Sequence, residues 1–450
     1  MQLRTRRAGV AAALAGTAAI LLASGIAPVA ASSVPPPQED RFYRPPAGLA
    51  AKPPGTVLRS RPVQLAAFAA LPQRVQAWQV MFRTTDYAGK PTAAVTTLLR
   101  PAGTRPKAIV SYQVAEDASA PQCAPSYVMR PAADYGEAIN QAEILLVDAT
   151  VADGFAVSMP DYEGLAGDFG AAKQPGYIEL DGLRAAEHFR PLGLKAGRRT
   201  PAALWGYSGG SLASGWGAQV QRRYAPELNL RGVAVGGFAT NVQQALLKIN
   251  GGPAAGLVAS ALPGVLRSNP NLARHVVPYL TAKGKAILAK SATQCEIANV
   301  SSYPFFDAND YLKIPLTKLL AHPAVKRGMK ALNLGGTTPK APLFVYHAIN
   351  DELIPVAGPD AIVPRYCHGG DSVTYVRDSL SEHGVLAVSG GPAALAWLHA
   401  RLTGGPKPHG CTTTTVATMA LTPSAIAQEP GLARAILSGL AGLPIGPSAF

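Results

Sequence analysis

The sequence predicts an α/β fold with a mostly parallel central sheet, and three observations carry that prediction. Strand-like and helix-like segments alternate along the 450-residue chain, the pattern of parallel strands joined by helical crossovers. The stretch Gly206-Tyr207-Ser208-Gly209-Gly210 reads G-x-S-x-G between an apolar strand candidate at 202–205 and a helix-compatible run at 211–220. The alternation also stops near Thr240 and resumes only at Pro342, after about a hundred residues of helix-like segments broken by proline and glycine. Such a block between two strands reads as a helical cap inserted into one α/β domain.

At the N-terminus, Arg4, Arg6 and Arg7 precede a mostly apolar run at 10–23 and the small residues Val29-Ala30-Ala31. That order is a secretory signal, so residues 1–31 are expected to be removed and the mature chain to begin near Ser32. The apolar run is shorter than the ~20 residues that span a bilayer. The next most apolar stretch, 252–266, is interrupted by two prolines and three glycines. A secreted protein without a stable transmembrane anchor is therefore expected. What remains exceeds the ~250–300 residues that one hydrophobic core usually holds, which again calls for a main domain with a large insertion.

Residues 32–54, rich in Pro and Ala, read as an extended N-terminal arm. Segments 75–84 and 92–99 read as strands joined by a turn at Gly89, and 108–113 as a short apolar strand leading into a loop. Residues 137–150 have helical spacing, 155–159 resemble a buried strand, and 177–189 are helical again. A strand at 231–236 precedes the insertion, expected over 240–338. Strands at 342–346 and 372–377 and a helix at 392–402 follow it. The core thus comprises 55–239 and 339–411, and no internal repeat is present.

The formal charge is +14, falling by three to +11 without Arg4, Arg6 and Arg7. Nucleic-acid binding needs that charge gathered on one face with aromatics between. Here it is scattered, the densest group being Lys195-Ala196-Gly197-Arg198-Arg199. No nucleic-acid partner is expected, and attraction to anionic surfaces is the plainer consequence. The four cysteines, Cys123, Cys295, Cys367 and Cys411, fit two disulfides in an exported chain, with three pairings open. They contain no C-x-x-C pair, so no zinc site and no other metal is expected.

The chemistry centres on Ser208. A serine held on a sharp strand-to-helix turn exposes its Oγ above the sheet, and flanking glycines relieve the crowding of that turn. Its hydroxyl becomes a useful nucleophile only when a base takes its proton and an acid holds the base. On such a scaffold the partners follow in the order serine, acid, histidine. Asp351 follows the first strand after the insertion and His383 follows the next, both at the strand ends where active sites form. Glu352 competes with Asp351 but has the longer side chain. Asp378 lies close to His383 and suits a surface turn. His347 is expected to satisfy a hydrogen bond beneath the site, and the other histidines to be solvated or to cap helices. The developing oxyanion needs donors. One is the backbone N–H of Gly209; the other should come from the loop after 108–113, where the residues themselves do not single it out.

Several stretches are more specific than G-x-S-x-G: Ser111-Tyr112-Gln113-Val114-Ala115-Glu116-Asp117, Cys123-Ala124-Pro125-Ser126-Tyr127, Leu180-Asp181-Gly182-Leu183-Arg184-Ala185 and Tyr224-Ala225-Pro226-Glu227-Leu228-Asn229. With Asn250-Gly251-Gly252-Pro253, His347-Ala348-Ile349-Asn350-Asp351-Glu352 and Glu382-His383, they resemble, in order, the Candida antarctica lipase A-like secretory lipases over about residues 55–430. The resemblance implies an α/β-hydrolase fold with a helical lid and a C-terminal flap and tail at 412–450. It implies Ser208, Asp351 and His383 as the catalytic triad and Asp117 with Gly209 as the oxyanion hole. It pairs Cys123 with Cys295 and Cys367 with Cys411. The expected activity is serine carboxylic-ester hydrolysis, foremost of triacylglycerols at an oil–water interface, by a monomer without cofactor. An esterase or acyltransferase on short-chain or cell-envelope acyl esters and a non-catalytic envelope-binding protein are the alternatives.

Overall fold

A computed structural model describes residues 34–133 and 142–447. The expected signal segment 1–31, the expected mature start at Ser32, the first turn of the helix expected at 137–150 and the last three residues lie outside the described residues.

Ten strands form one sheet: Val57–Ala67 (β1), Leu71–Thr85 (β2), Pro91–Arg100 (β3), Ile109–Gln113 (β4), Ala156–Pro160 (β5), Ala202–Tyr207 (β6), Leu230–Gly236 (β7), Leu343–Ala348 (β8), Val373–Asp378 (β9) and Cys411–Val416 (β10). Their order is β1-β2-β3-β5-β4-β6-β7-β8-β9-β10. The pairings from β1 to β5 are antiparallel, and every pairing from β5 to β10 is parallel. Strands β4, β5, β6 and β8 are buried along their whole length, because helices cover both faces. A strand buried on both sides reads as a continuous apolar run, which is how these segments read in the sequence.

On one face, the helices Ile144–Ala152, His383–Leu402 and Pro423–Leu440 pack with Tyr112, Trp205 and Tyr346 into one buried cluster. On the other, the helices Gln174–His188, Gly209–Tyr224 and Ala357–His368 pack with Leu204, Val233 and Val345. The two edge strands differ from the sequence expectation, which held neither. β1 carries Arg59, Arg61 and Pro62 and is half exposed, as an edge strand can be. β10 is four threonines between Cys411 and Val416, almost entirely exposed, with no apolar alternation to mark it.

Between β7 and β8 the chain forms seven α-helices, from Val242–Ile249 to Pro323–Ala331, and no strand. This insertion has its own apolar core, built from residues such as Leu266, Leu272, Leu319, Val325 and Met329. The C-terminal segment expected as a flap starts as β10, beside β9, and continues as the helix Pro423–Leu440 on the sheet's first face. No helix among the described residues is long and apolar enough to cross a membrane.

Two disulfides close the fold. Cys123–Cys295, with Cα atoms 5.4 Å apart, ties the loop after β4 to the insertion. Cys367–Cys411, at 6.1 Å, ties the helix Ala357–His368 to the start of β10. The first spans 172 residues and the second 44, so the first restricts the unfolded chain more. Replacing Cys123 and Cys295 together by serine is expected to cost roughly 3–5 kcal/mol in urea unfolding, about 1 kcal/mol more than the same change at Cys367 and Cys411.

Candidate active site

The turn between β6 and the helix Gly209–Tyr224 holds Ser208 at φ 52°, ψ −120°, a region an L residue occupies at a cost of about 1–3 kcal/mol. The backbone holds it there. Ser208 N–H donates to the Gly236 carbonyl at the end of β7, and the Ser208 carbonyl accepts from Ser211 and Leu212. The turn is so tight that a Cβ on Gly206 would run into the Gly210 carbonyl, and one on Gly209 would overlap the Asp117 carboxyl. Close approach thus excludes a side chain at Gly206, the first glycine of the motif, and at Gly209 beside the nucleophile; a Cβ on Gly210, the motif's second glycine, would run into the Gln113 carbonyl.

Ser208 Oγ lies 2.9 Å from His383 Nε2, and His383 Nδ1 lies 2.7 Å from Asp351 Oδ2. Asp351 follows β8, and its Oδ1 accepts from Leu353 N–H at 2.9 Å and Ile354 N–H at 2.7 Å. Burial acts to raise the Asp351 pKa, but the hydrogen bond and charge of His383, with the Ile354 N–H, outweigh it and hold the carboxyl below its ordinary range. An ionised carboxylate on Nδ1–H leaves Nε2 to accept the serine proton.

His383 opens the helix His383–Leu402, so its position depends on how that helix starts. Glu382 caps it, accepting from Gly384 N–H at 2.8 Å and Val385 N–H at 2.7 Å. Glu352, the rival of Asp351, accepts the backbone N–H of His383 at 2.9 Å and supports the histidine main chain. Tyr207 donates its hydroxyl to the His383 carbonyl at 2.5 Å. The Tyr207 contact spans 176 residues, and no local pattern in the sequence marks it.

His347 is fully buried beneath the site. Its Nδ1 accepts from Phe238 N–H at 2.8 Å, so the proton is on Nε2, which donates to the Ile354 carbonyl at 2.9 Å. Burial pushes its pKa down and keeps it neutral. Asp378 corrects the expectation of a surface turn. It does make a turn, accepting from Leu380 and Ser381, but it is fully buried because Oδ2 also takes Met419 N–H at 2.7 Å from the chain after β10. His399 pairs with Asp153 at 2.7 Å, away from the site.

Asp117 follows β4 and is the second non-glycine residue near the site with positive φ, at 41°. Its side chain overlies Gly209, whose N–H opens a helix and has no intrahelical acceptor. Asp117 Oδ1 is buried without a hydrogen-bond partner. Burial raises its pKa to about 6 against the opposing charge of His383. Glu163 behind it is fully buried and pushed well above its ordinary value, by burial first and then by the charges of Glu116, Asp117 and Asp168. This corner of the site favours neutral carboxyl groups.

Ser208, Gly209 and Asp117 line a cavity of about 230 Å³ that runs into the insertion among Leu246, Leu262 and Leu312. Its walls are almost wholly apolar, and no described residue beyond Ile354 lines it. Among the described residues no group of histidines, cysteines and carboxylates could hold a metal ion. The arrangement can activate one hydroxyl next to an apolar channel and offer donors to a developing negative charge.

Known proteins share this architecture. The family model described as secretory lipase matches residues 129–410. A Mycobacterium tuberculosis protein named a probable inactive lipase is 39% identical over 373 residues, covering 82% of this chain and 83% of its own. A secreted triacylglycerol lipase of Malassezia globosa is 33% identical over 435 residues, covering 95% of each chain. Among solved structures, Candida antarctica lipase A superposes with a TM-score of 0.82 at 28% identity, covering 92% of this chain and 99% of that one.

Proposed function

This chain belongs to the secretory lipase family, and on that premise we propose that it is a secreted serine hydrolase of carboxylic esters, with triacylglycerols as its substrates. The observation that carries the proposal is the unbroken line of hydrogen bonds from Asp351 through His383 to Ser208, opening onto an apolar cavity.

In this reading Ser208 Oγ attacks the ester carbonyl carbon while His383 Nε2 takes its proton. The tetrahedral intermediate collapses to an acyl-enzyme, and the leaving alcohol departs with that proton. Water then loses a proton to His383 and attacks the acyl carbonyl; collapse frees the acid and returns the proton to Ser208. Asp351 holds the imidazole orientation and stabilises the imidazolium formed in each half. Gly209 N–H and a protonated Asp117 carboxyl donate to the oxyanion. The acyl chain occupies the apolar cavity, so the insertion acts as a lid that also forms the acyl-binding wall. The route requires no metal or organic cofactor and no second copy of the chain.

The test is a rate profile of the purified protein across p-nitrophenyl esters of increasing acyl length and an emulsified triacylglycerol, with fluorophosphonate labelling alongside. Labelling at Ser208 and release of fatty acid from the emulsion are expected. Activity confined to short soluble esters would replace the lipase reading by an esterase, and acyl transfer to an added alcohol in water by an acyltransferase. An unlabelled Ser208 would favour the inactive state that the Mycobacterium tuberculosis relative's name describes.

A further inference from the structure

The loop that follows β4 carries Asp117 over Gly209, but no regular structure of its own holds it there. Residues 114–118 are irregular, and Asp117 keeps a positive φ that its surroundings must impose. Glu143 and Tyr162 accept from the N–H groups of Ala115 and Glu116, and the helix Gly256–Ser268 of the insertion holds Asp117 itself. Ser260 Oγ donates to the Asp117 carbonyl oxygen at 2.7 Å. Asn299 Nδ2 donates to the same Oγ at 3.1 Å. An amide N–H₂ can only donate, so the hydroxyl proton is left for the Asp117 carbonyl. Ser260 and Asn299 are both fully buried, where no bulk water competes for these bonds.

Ser119 meets the same helix in a second way. Its hydroxyl accepts from Gly264 N–H at 2.9 Å and donates to the Ser260 carbonyl at 2.7 Å. An α-helix would join that N–H and carbonyl directly, so the loop hydroxyl has been inserted into the helical ladder. Pro263, next to it, removes a neighbouring rung. Arg267 Nη2 donates to the Ser119 carbonyl at 3.2 Å while its Nε pairs with Asp168 at 2.8 Å. The opened ladder is what lets this helix grip the loop by its backbone.

We propose that Ser260 is a positioning residue for the oxyanion site. By holding the Asp117 carbonyl, it sets the direction in which the Asp117 carboxyl points over Gly209, and Asn299 orients its hydroxyl for that task. The helix Gly256–Ser268 then belongs to the fixed frame of the reaction centre, although it lies in the inserted block. This inference rests on the role given to Asp117 above.

Ser260→Ala in the full chain tests it. On a short p-nitrophenyl ester, kcat is expected to fall about 10- to 100-fold with KM within about twofold of wild type, because a displaced donor affects the transition state more than substrate binding. The rate of fluorophosphonate attachment to Ser208 should fall in parallel, since the adduct places an oxygen at the same position. Ser260→Thr keeps the hydroxyl and should recover most of the rate. If Ser260→Ala does not fold, Asn299→Ala, which frees the hydroxyl to turn away, should lower kcat with KM unchanged. Unchanged kcat and labelling rate in whichever variant folds, even with a lower melting temperature, overturns the proposal. A wild-type protein that cannot be labelled is a different result: it removes the assignment of Ser208 and this proposal with it.

Discussion

Ser208→Ala should lower kcat on a short p-nitrophenyl ester by about 10⁵- to 10⁶-fold. The fold should survive, because the turn is held by backbone bonds to Gly236, Ser211 and Leu212 that alanine keeps. His383→Ala should cost about as much in rate, and the double variant little more, since residues acting as one unit are not additive. The histidine variant should differ in stability, because it leaves the Asp351 carboxylate buried without its Nδ1 partner. Rates and urea midpoints for the three variants would separate these outcomes; Ser208→Ala retaining more than a hundredth of wild-type kcat would remove Ser208 as the nucleophile.

The next largest effect is expected at Asp117. Asp117→Ala should lower kcat about 10²- to 10³-fold, as loss of one oxyanion donor does, while Asp117→Asn, which still donates, should lose far less. The pH dependence gives a sharper test. Burial raises the Asp117 pKa to about 6 even against the charge of His383, and only the protonated carboxyl can donate. Its contribution is therefore present below about pH 6 and is lost as pH rises through that value. A fall in kcat/KM above about pH 6 is expected in the wild type and should be missing in Asp117→Asn, which cannot ionise. If Asp117→Ala keeps wild-type kcat, the second donor is a backbone N–H and the side-chain role is wrong.

Much of the fold was legible because its central strands are short apolar runs, each bounded by turn residues, and the strands of a covered parallel sheet must read that way. β1 and β10 were not legible for the complementary reason. One is interrupted by Arg59, Arg61 and Pro62, the other is a run of threonines, and an edge strand needs no buried face to pair through its backbone. At the site, Ser208 was marked by a local pattern, and Asp351 and His383 by their order after the insertion. The groups that hold them were hidden. Tyr207, Glu352, Ser260 and Asn299 are common residue types whose partners lie 31 to 176 residues away or in another block of the chain. Asp378 misled for the same reason: the Met419 N–H that buries it comes from beyond β10.

By itself, the sequence determined the class of fold, the strand-to-helix turn at Ser208 and the residue types able to serve it, because these depend on local patterning and chain order. Only the tertiary structure decided which way His347 carries its proton, what buries Asp378 and how Asp117 comes to lie over Gly209. Those outcomes turn on distances of a few ångströms between segments far apart in the chain. Hydrogen bonds and close packing act only at that range, and no local pattern records them.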